Sequence, residues 1–84
     1  MTNNEILKKQ IIYRSTHRGS KEMDMLLGIF VKKYIKSLNY KDLNDLKKIL
    51  DLEDEILHQW YFNKINNSIV SNTKVSELLK NFKL

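Results

Sequence analysis

The sequence has no cysteine, no proline, only two glycines and no long apolar run. Without cysteine, disulfide bonds, thiolate metal ligands and a thiol nucleophile are all excluded, and a reducing compartment is the default expectation. No apolar run approaches the roughly 20 residues that a bilayer-spanning helix needs, and residues 1–5 resemble neither a signal peptide nor a transit peptide. We therefore expect a cytoplasmic protein that does not insert into the membrane.

With 84 residues, the chain is long enough for one domain, residues 1–84, and too short for a separate substrate or cofactor domain. Two isolated glycines cannot build a dinucleotide fingerprint or a P-loop. The two histidines, His17 and His58, lack the spacing of a metal site, and no serine has a base partner that the sequence defines. We therefore expect no enzymatic activity, no metal and no cofactor held by this chain.

The formal net charge is +5 and the sequence pI is about 9.5. Because thirteen of the fifteen basic residues are Lys spread along the chain, the excess does not mark one selected basic face. A basic helical module that binds nucleic acid nevertheless stays open as the alternative function. Arg14 and Arg18 stand out, since arginine offers a flat fork of donors where lysine offers only a point charge.

Apolar spacing predicts an all-α bundle of about five short helices. A capping box at Thr2 and Glu5 opens a first helix, whose apolar line continues through Arg14 and Arg18 to the rim of the core. Gly19 is expected to stop that helix in the left-handed conformation, and Gly19 or Ser20 to start the next. The residues that carry the first apolar line are Leu7, Ile11, Arg14 and Arg18.

The second helix has the clearest pattern, an apolar stripe of more than four turns that makes it the central helix. Gly28 lies inside it and is expected to permit the close approach of a neighbouring helix. The stripe consists of Met23, Leu26, Leu27, Phe30, Tyr34 and Leu38.

Three further helices are predicted after the central one. Asn39 can cap the third, and an acidic run at residues 51–55 precedes a short fourth helix, where carboxylates favour the positive end of the helix dipole. Asn63 is a reasonable stop for the fourth helix, and residues 66–72 are expected to form a loop. Thr73 or Asn72 can then cap a last helix over about residues 73–83.

Residues 14–24 are the one segment where unusual residue types converge. A turn at Gly19 would place Arg18 on one side and Glu22 on the other, making a polar surface of both charge signs. The same residues also fit a purely structural interpretation, with Glu22 and Asp24 as first-turn carboxylates and Arg18 as a last-turn cation. Trp60, the only tryptophan, is either a core residue or an exposed anchor for a partner.

The run Arg18-Gly19-Ser20-Lys21-Glu22 resembles the Arg-Gly-x-x-Glu signature of the succinate dehydrogenase assembly factor 2 family, the FAD assembly factors of bacteria and mitochondria. The similarity extends to residues 13–17 and 25–30, and residues 50–60 resemble the family's second block, an acidic stretch that leads to leucine and tryptophan. The whole resemblance covers about residues 8–63. Asn63 stands where the family often has glycine, and asparagine also tolerates the left-handed conformation.

This resemblance implies a chaperone that binds the flavoprotein subunit of succinate dehydrogenase, and of fumarate reductase, and promotes covalent attachment of FAD to it. FAD and the histidine that forms the bond would belong to the client. The resemblance implies no nucleic-acid partner. Carried over by position, the signature residues would dock near the flavin and their neighbours would flank it, so that the expected partner-binding residues are Arg14, Arg18, Gly19, Ser20, Lys21, Glu22 and Asp24.

Overall fold

The structure is a computed structural model that describes residues 2–65, 70 and 72–84. Within these residues the chain forms five α-helices and no strand, which confirms the predicted all-α class. The helices are α1 (Asn3–Thr16), α2 (Lys21–Tyr34), α3 (Tyr40–Leu50), α4 (Asp54–Tyr61) and α5 (Lys74–Asn81).

Side-chain caps explain where four of these helices begin. In each case a short polar side chain accepts a hydrogen bond from a backbone N–H of the first turn that has no helical partner. The bonds join Glu5 N to Thr2 Oγ1 at 3.2 Å, Met23 N to Ser20 Oγ at 3.4 Å, Asp42 N to Asn39 Oδ1 at 2.8 Å, and Ser76 N to Thr73 Oγ1 at 3.1 Å. Helix α4 instead places Asp54 and Glu55 in its first turn, next to the positive end of the helix dipole.

Helix α1 ends earlier than its apolar spacing indicates. The last helical residue is Thr16, so Arg18 lies outside the helix. The backbone N–H of Arg18 donates to Asp24 Oδ1 at 2.5 Å instead of to a helical carbonyl. Gly19 does not adopt a positive φ, so the predicted left-handed glycine cap is wrong. A carboxylate from α2 therefore takes over the role that the glycine was expected to play.

Helix α2 is also shorter than its stripe, because it ends at Tyr34 and not near Leu38. The N–H of Ser37 donates to the carbonyl of Tyr34 at 2.9 Å, which closes a tighter turn than the α-helical one. Leu38 is still buried, so its apolar character reflects the core and not a continuing helix.

The end of α4 corrects another expectation. Phe62 caps the helix with an αR backbone, and the left-handed residue that comes after it is Lys64, at φ 57°, and not Asn63. The loop predicted over residues 66–72 falls mostly on residues outside those that the structure describes.

The core is one cluster to which every helix contributes, with α1 packed on α2 and α3, and α3 packed on α5. Phe30 is fully buried in it, and its ring meets those of Tyr34 and Phe82 at centroid distances of 4.9 and 5.4 Å. The Tyr61 hydroxyl donates to the backbone carbonyl of Phe82, which ties α4 to the end of α5. The most deeply buried large side chains are Ile11, Met23, Leu26, Leu27, Phe30, Leu43, Leu46, Leu50, Leu57 and Leu79.

Gly28 is not required by the packing of α1 against α2. A Cβ at this position would lie 3.6 Å from Thr16 Cγ2, an ordinary van der Waals distance, so α1 approaches Gly28 without requiring glycine there. We expect Gly28→Ala to raise the free energy of unfolding by about 0.5–1 kcal/mol, because alanine has the higher helix propensity. Urea unfolding followed by circular dichroism measures this, and a loss of stability would contradict it.

Burial raises the pKa of the Tyr61 hydroxyl above its usual value of 10.0. The folded protein therefore keeps a proton that the unfolded chain releases, so the free energy of unfolding should fall as the pH rises above 10.0. We expect Tyr61→Phe to remove this part of the pH dependence and to cost about 1 kcal/mol at neutral pH, since the Phe82 carbonyl loses its donor. Urea titrations of both proteins between neutral and alkaline pH measure it, and an equal alkaline decline in both would count against the assignment.

Candidate functional site

Residues 17–24, which comprise the link between α1 and α2 and the first turn of α2, form a turn that we call the α1–α2 corner, and a carboxylate from α4 holds it in place. Asp54 Oδ1 accepts from Arg18 Nε at 2.7 Å, and Asp54 Oδ2 accepts from the backbone N–H of Gly19 at 2.9 Å. One side chain at the start of α4 therefore fixes two successive residues of the corner.

Arg18 points into the protein. Its Nη1 donates to the carbonyl of Leu50 and its Nη2 to the carbonyl of Leu52 at 2.7 Å, so each guanidinium nitrogen has an acceptor. Only 9% of the Arg18 side chain is exposed, against 25% for Asp54. The carbonyls that Arg18 satisfies come from the end of α3 and the link to α4, so this residue joins three parts of the chain.

The local sequence explains why the corner turns here. Ser20 caps α2, and Asp24, one turn into α2, accepts from the Arg18 N–H and ends α1. Both are short side chains that bond readily to nearby backbone, which suits them to turns and helix starts. The corner is thus anchored from α2 on one side and from α4 on the other.

The outer side of the corner carries exposed groups of both signs. Gly19 and Lys21 are exposed, and 70% of the Glu22 side chain is accessible. Glu22 Oε2 lies 3.4 Å from Nε2 of His58, a half-buried residue of α4. An exposed polar contact of this kind contributes little to stability, so Glu22 remains able to exchange it for a contact with a partner.

Arg14 lies beside the corner and does not belong to the buried face of α1. It forms an ion pair with Asp51, and both side chains are about half exposed. The buried face of α1 passes instead through Ser15, whose hydroxyl donates to the carbonyl of Ile12 at 2.8 Å. The expectation that Arg14 and Arg18 share one face is wrong because α1 ends before Arg18.

The predicted site residues therefore divide into an inner and an outer set. Arg18 is held inside with each guanidinium nitrogen bonded to an acceptor, and Ser20 and Asp24 are partly buried and bond to backbone. The outer set consists of Arg14, Gly19, Lys21 and Glu22. Trp60 is 7% exposed and belongs to the core, so of its two interpretations the structure favours the core residue.

Three residues next to the corner are not recognisable as part of it from the sequence. The sequence indicates Asp54 and Asp51 only as carboxylates at a helix start, and His58 only as a surface residue. The pairing of Arg18 with Asp54 spans 36 residues, for which no local spacing rule exists. The only signal is that four carboxylates, at residues 51 and 53–55, cluster around the start of α4.

The exposed groups of the corner form a polar contact surface. In the described part of the chain, no group of three or more His, Asp or Glu side chains could hold a metal ion. Across residues 2–65, 70 and 72–84, none of the helices has the length and apolarity to span a bilayer. What the corner offers is a rigid backbone turn flanked by one exposed cation and one exposed carboxylate.

Comparison with known proteins identifies the class to which this chain belongs. Residues 9–83 match the family described as the flavinator of succinate dehydrogenase. The chain therefore belongs to that family, which confirms the resemblance deduced from the sequence.

Individual relatives agree with this assignment. The chain is 31% identical to the FAD assembly factor SdhE of Acetobacter pasteurianus over 58 residues, which are 69% of this chain and 53% of that protein. It is 34% identical to the mitochondrial succinate dehydrogenase assembly factor 2 of Lodderomyces elongisporus over 56 residues, 67% of this chain and 34% of that one. For the Saccharomyces cerevisiae protein of the same name, the identity is 31% over 87 aligned positions, 96% of this chain and 54% of that one.

The chain thus spans about half the length of these relatives, or less. No solved structure matches it. Neither the family match nor these relatives supports the alternative of a nucleic-acid-binding module.

The hydrogen bonds of Arg18 predict that the shape of its side chain matters more for the stability of the fold than its charge does. Arg18→Lys keeps the charge but cannot reach Asp54 and the carbonyls of Leu50 and Leu52 together. We expect Arg18→Lys to lower the free energy of unfolding by about 2 kcal/mol, because the carbonyls of Leu50 and Leu52 lose donors. We expect a loss of about 2 kcal/mol from Asp54→Asn as well, because the largely buried charge of Arg18 loses its partner.

Lys21→Ala, on the exposed side of the same corner, is the matched control and should change the free energy of unfolding by less than about 0.5 kcal/mol. Urea unfolding of the single variants, and of the Arg18→Lys, Asp54→Asn double variant, measures these effects. If the two single effects simply add in the double variant, Arg18 and Asp54 are not coupled as described.

Proposed function

We propose that this chain binds the flavoprotein subunit of succinate dehydrogenase through the outer side of the α1–α2 corner and promotes covalent attachment of FAD to that subunit. Membership of the flavinator family supports the activity. The names of relatives, a FAD assembly factor and succinate dehydrogenase assembly factors, support the client and its cofactor. A fumarate reductase flavoprotein is a second client of the same kind.

The observation that carries the docking surface is the bare backbone at Gly19. The chain's own fold does not demand glycine there, because φ is not positive and a Cβ would lie 3.5 Å from Asp54 Oδ2, an ordinary contact distance. The residue is also exposed. A position without a side chain on an otherwise rigid surface lets another molecule approach the backbone closely, and this supports a contact at Gly19.

The charges around Gly19 support the same role. Lys21 and Glu22 are exposed just after Ser20, while the charge of Arg18 is already neutralised by Asp54. A partner would therefore meet one cation and one carboxylate at defined positions, a pattern that selects complementary charges on the partner. Arg14 with Asp51 extends the mixed surface along the end of α1.

The chain acts in this proposal by positioning and not by chemistry. The FAD and the histidine that forms the bond belong to the client, and this chain is a chaperone that holds them in the geometry in which they react. Holding two groups in a near-reactive arrangement lowers the barrier through proximity and orientation. A rigid corner suits this task because it loses little conformational freedom when it binds.

The proposal predicts that changes on the outer side of the corner abolish flavinylation without unfolding the protein. We expect Gly19→Gln, which places a neutral side chain on the bare backbone, and Glu22→Ala each to lower covalent FAD on the co-expressed flavoprotein subunit at least tenfold, a loss of about 1.4 kcal/mol or more. Fluorescence of the subunit in a denaturing gel measures covalent flavin.

Gly28→Ala, at the chain's other glycine, is the control and should leave covalent flavin unchanged. Circular dichroism establishes that each variant is folded. Undiminished covalent flavin with folded Gly19→Gln and Glu22→Ala variants would refute the docking surface, and undiminished flavin without this chain would refute the function itself.

A further inference from the structure

A second surface lies at the opposite end of α2 from the corner. Here the last turn of α2 meets α5 and leaves a cleft of about 430 Å³. Because α2 has 14 residues, about 20 Å of helix separates this cleft from the corner. Its residues take no part in the site described above, so a binding role for the cleft does not depend on the proposed function.

The walls of the cleft are apolar and aromatic. Tyr34 and Leu78 are half-buried and Phe82 is buried, and the rings of Tyr34 and Phe82 meet edge to face at a centroid distance of 6.2 Å. Leu78 lies on α5 and Phe82 directly follows the end of that helix, so that the two side chains together supply an apolar wall. Such a wall is suited to one inserted aliphatic or aromatic side chain.

The rim of the cleft is basic. Lys33, Lys74 and Lys83 line it together with one acidic residue, Glu77. The Lys33 ammonium lies 5.5 Å from the centroid of the Tyr34 ring and 5.6 Å from that of Phe82. In the part of the chain that the structure describes, no ion pair joins Lys33 or Lys83 to a carboxylate, whereas Lys74 lies 3.7 Å from Asp42 Oδ2.

We propose that this cleft binds an acidic peptide segment of a partner protein, with one apolar side chain between Tyr34, Leu78 and Phe82 and flanking carboxylates at Lys33 and Lys83. Charge complementarity selects the class of partner, because the ammonium groups of these two lysines border an apolar floor. The aromatic rings hold the Lys33 ammonium over the floor through a cation–π contact, where a carboxylate of the segment can reach it.

A peptide fits this cleft better than a nucleic acid does. The lining contains no arginine and includes the carboxylate of Glu77, which would oppose a closely spaced run of phosphates. A peptide can instead alternate carboxylates with an apolar side chain, matching a basic rim around an apolar floor. Lysine is sufficient for this purpose, since carboxylates on a flexible segment need point charges and not a rigid fork of donors.

The test uses a short fluorescein-labelled peptide in which aspartate and glutamate residues flank one phenylalanine, titrated with the full chain and followed by fluorescence anisotropy. We expect saturable binding that weakens with salt, and about tenfold weaker binding when serine replaces the phenylalanine. Lys33→Glu and Lys83→Glu should each weaken binding about tenfold, whereas Lys48→Glu, the same charge change on the exposed side of α3, should change it less than about twofold.

Three results of the binding experiments would overturn the proposal. They are the absence of saturable binding, an equal loss in the Lys33→Glu and Lys48→Glu variants, and tighter binding of a single-stranded oligonucleotide of equal charge. Circular dichroism checks that the variants fold, and Lys33→Ala with Lys83→Ala replaces any variant that does not. Amide chemical-shift changes at Tyr34 and Leu78 on addition of the peptide should locate it in the cleft, and changes confined to the α1–α2 corner would equally overturn the assignment.

Discussion

The carboxylate of Asp54 connects parts of the chain that no local interaction would bring together. It accepts from Arg18 and from Gly19, which precede it by 36 and 35 residues. Arg18 in turn satisfies the carbonyls of Leu50 and Leu52 at the end of α3 and just after it. Removing either partner would leave a buried charge or buried carbonyls without compensation, so this cluster holds the α1–α2 corner against the link between α3 and α4.

This interaction also decides what the corner presents to solvent. Since the donors of Arg18 are engaged inside the protein, the outer surface consists of bare backbone at Gly19 with Lys21 and Glu22 beside it. Arg18, a residue that stands out in the sequence, therefore acts mainly as a structural support. Its neighbours Gly19, Lys21 and Glu22 form the exposed surface. A contact surface on a rigid support fits the proposed role, in which the chain holds two groups of a client in position.

Much of the fold could be predicted from the sequence because helix starts and apolar faces are local properties. Thr2, Ser20, Asn39 and Thr73 cap their helices through bonds to residues three positions further on. The stripe of α2 from Met23 to Phe30 is buried as its spacing predicted. The helix ends were predicted less well, because Asp24 captures the N–H of Arg18 and a tight turn closes at Ser37, and neither event follows from propensity.

The sequence by itself determined the all-α class, the family and the stretch of chain that holds the candidate site, since each depends on residue types at short, fixed spacings. Only the tertiary structure decided which side of that stretch faces inward. The outcome depends on the meeting of Arg18 with Asp54 and with the carbonyls of Leu50 and Leu52, and such contacts arise from packing between segments far apart in the chain. Periodicity places a residue on a face of its own helix, but it does not state which distant group will meet it there.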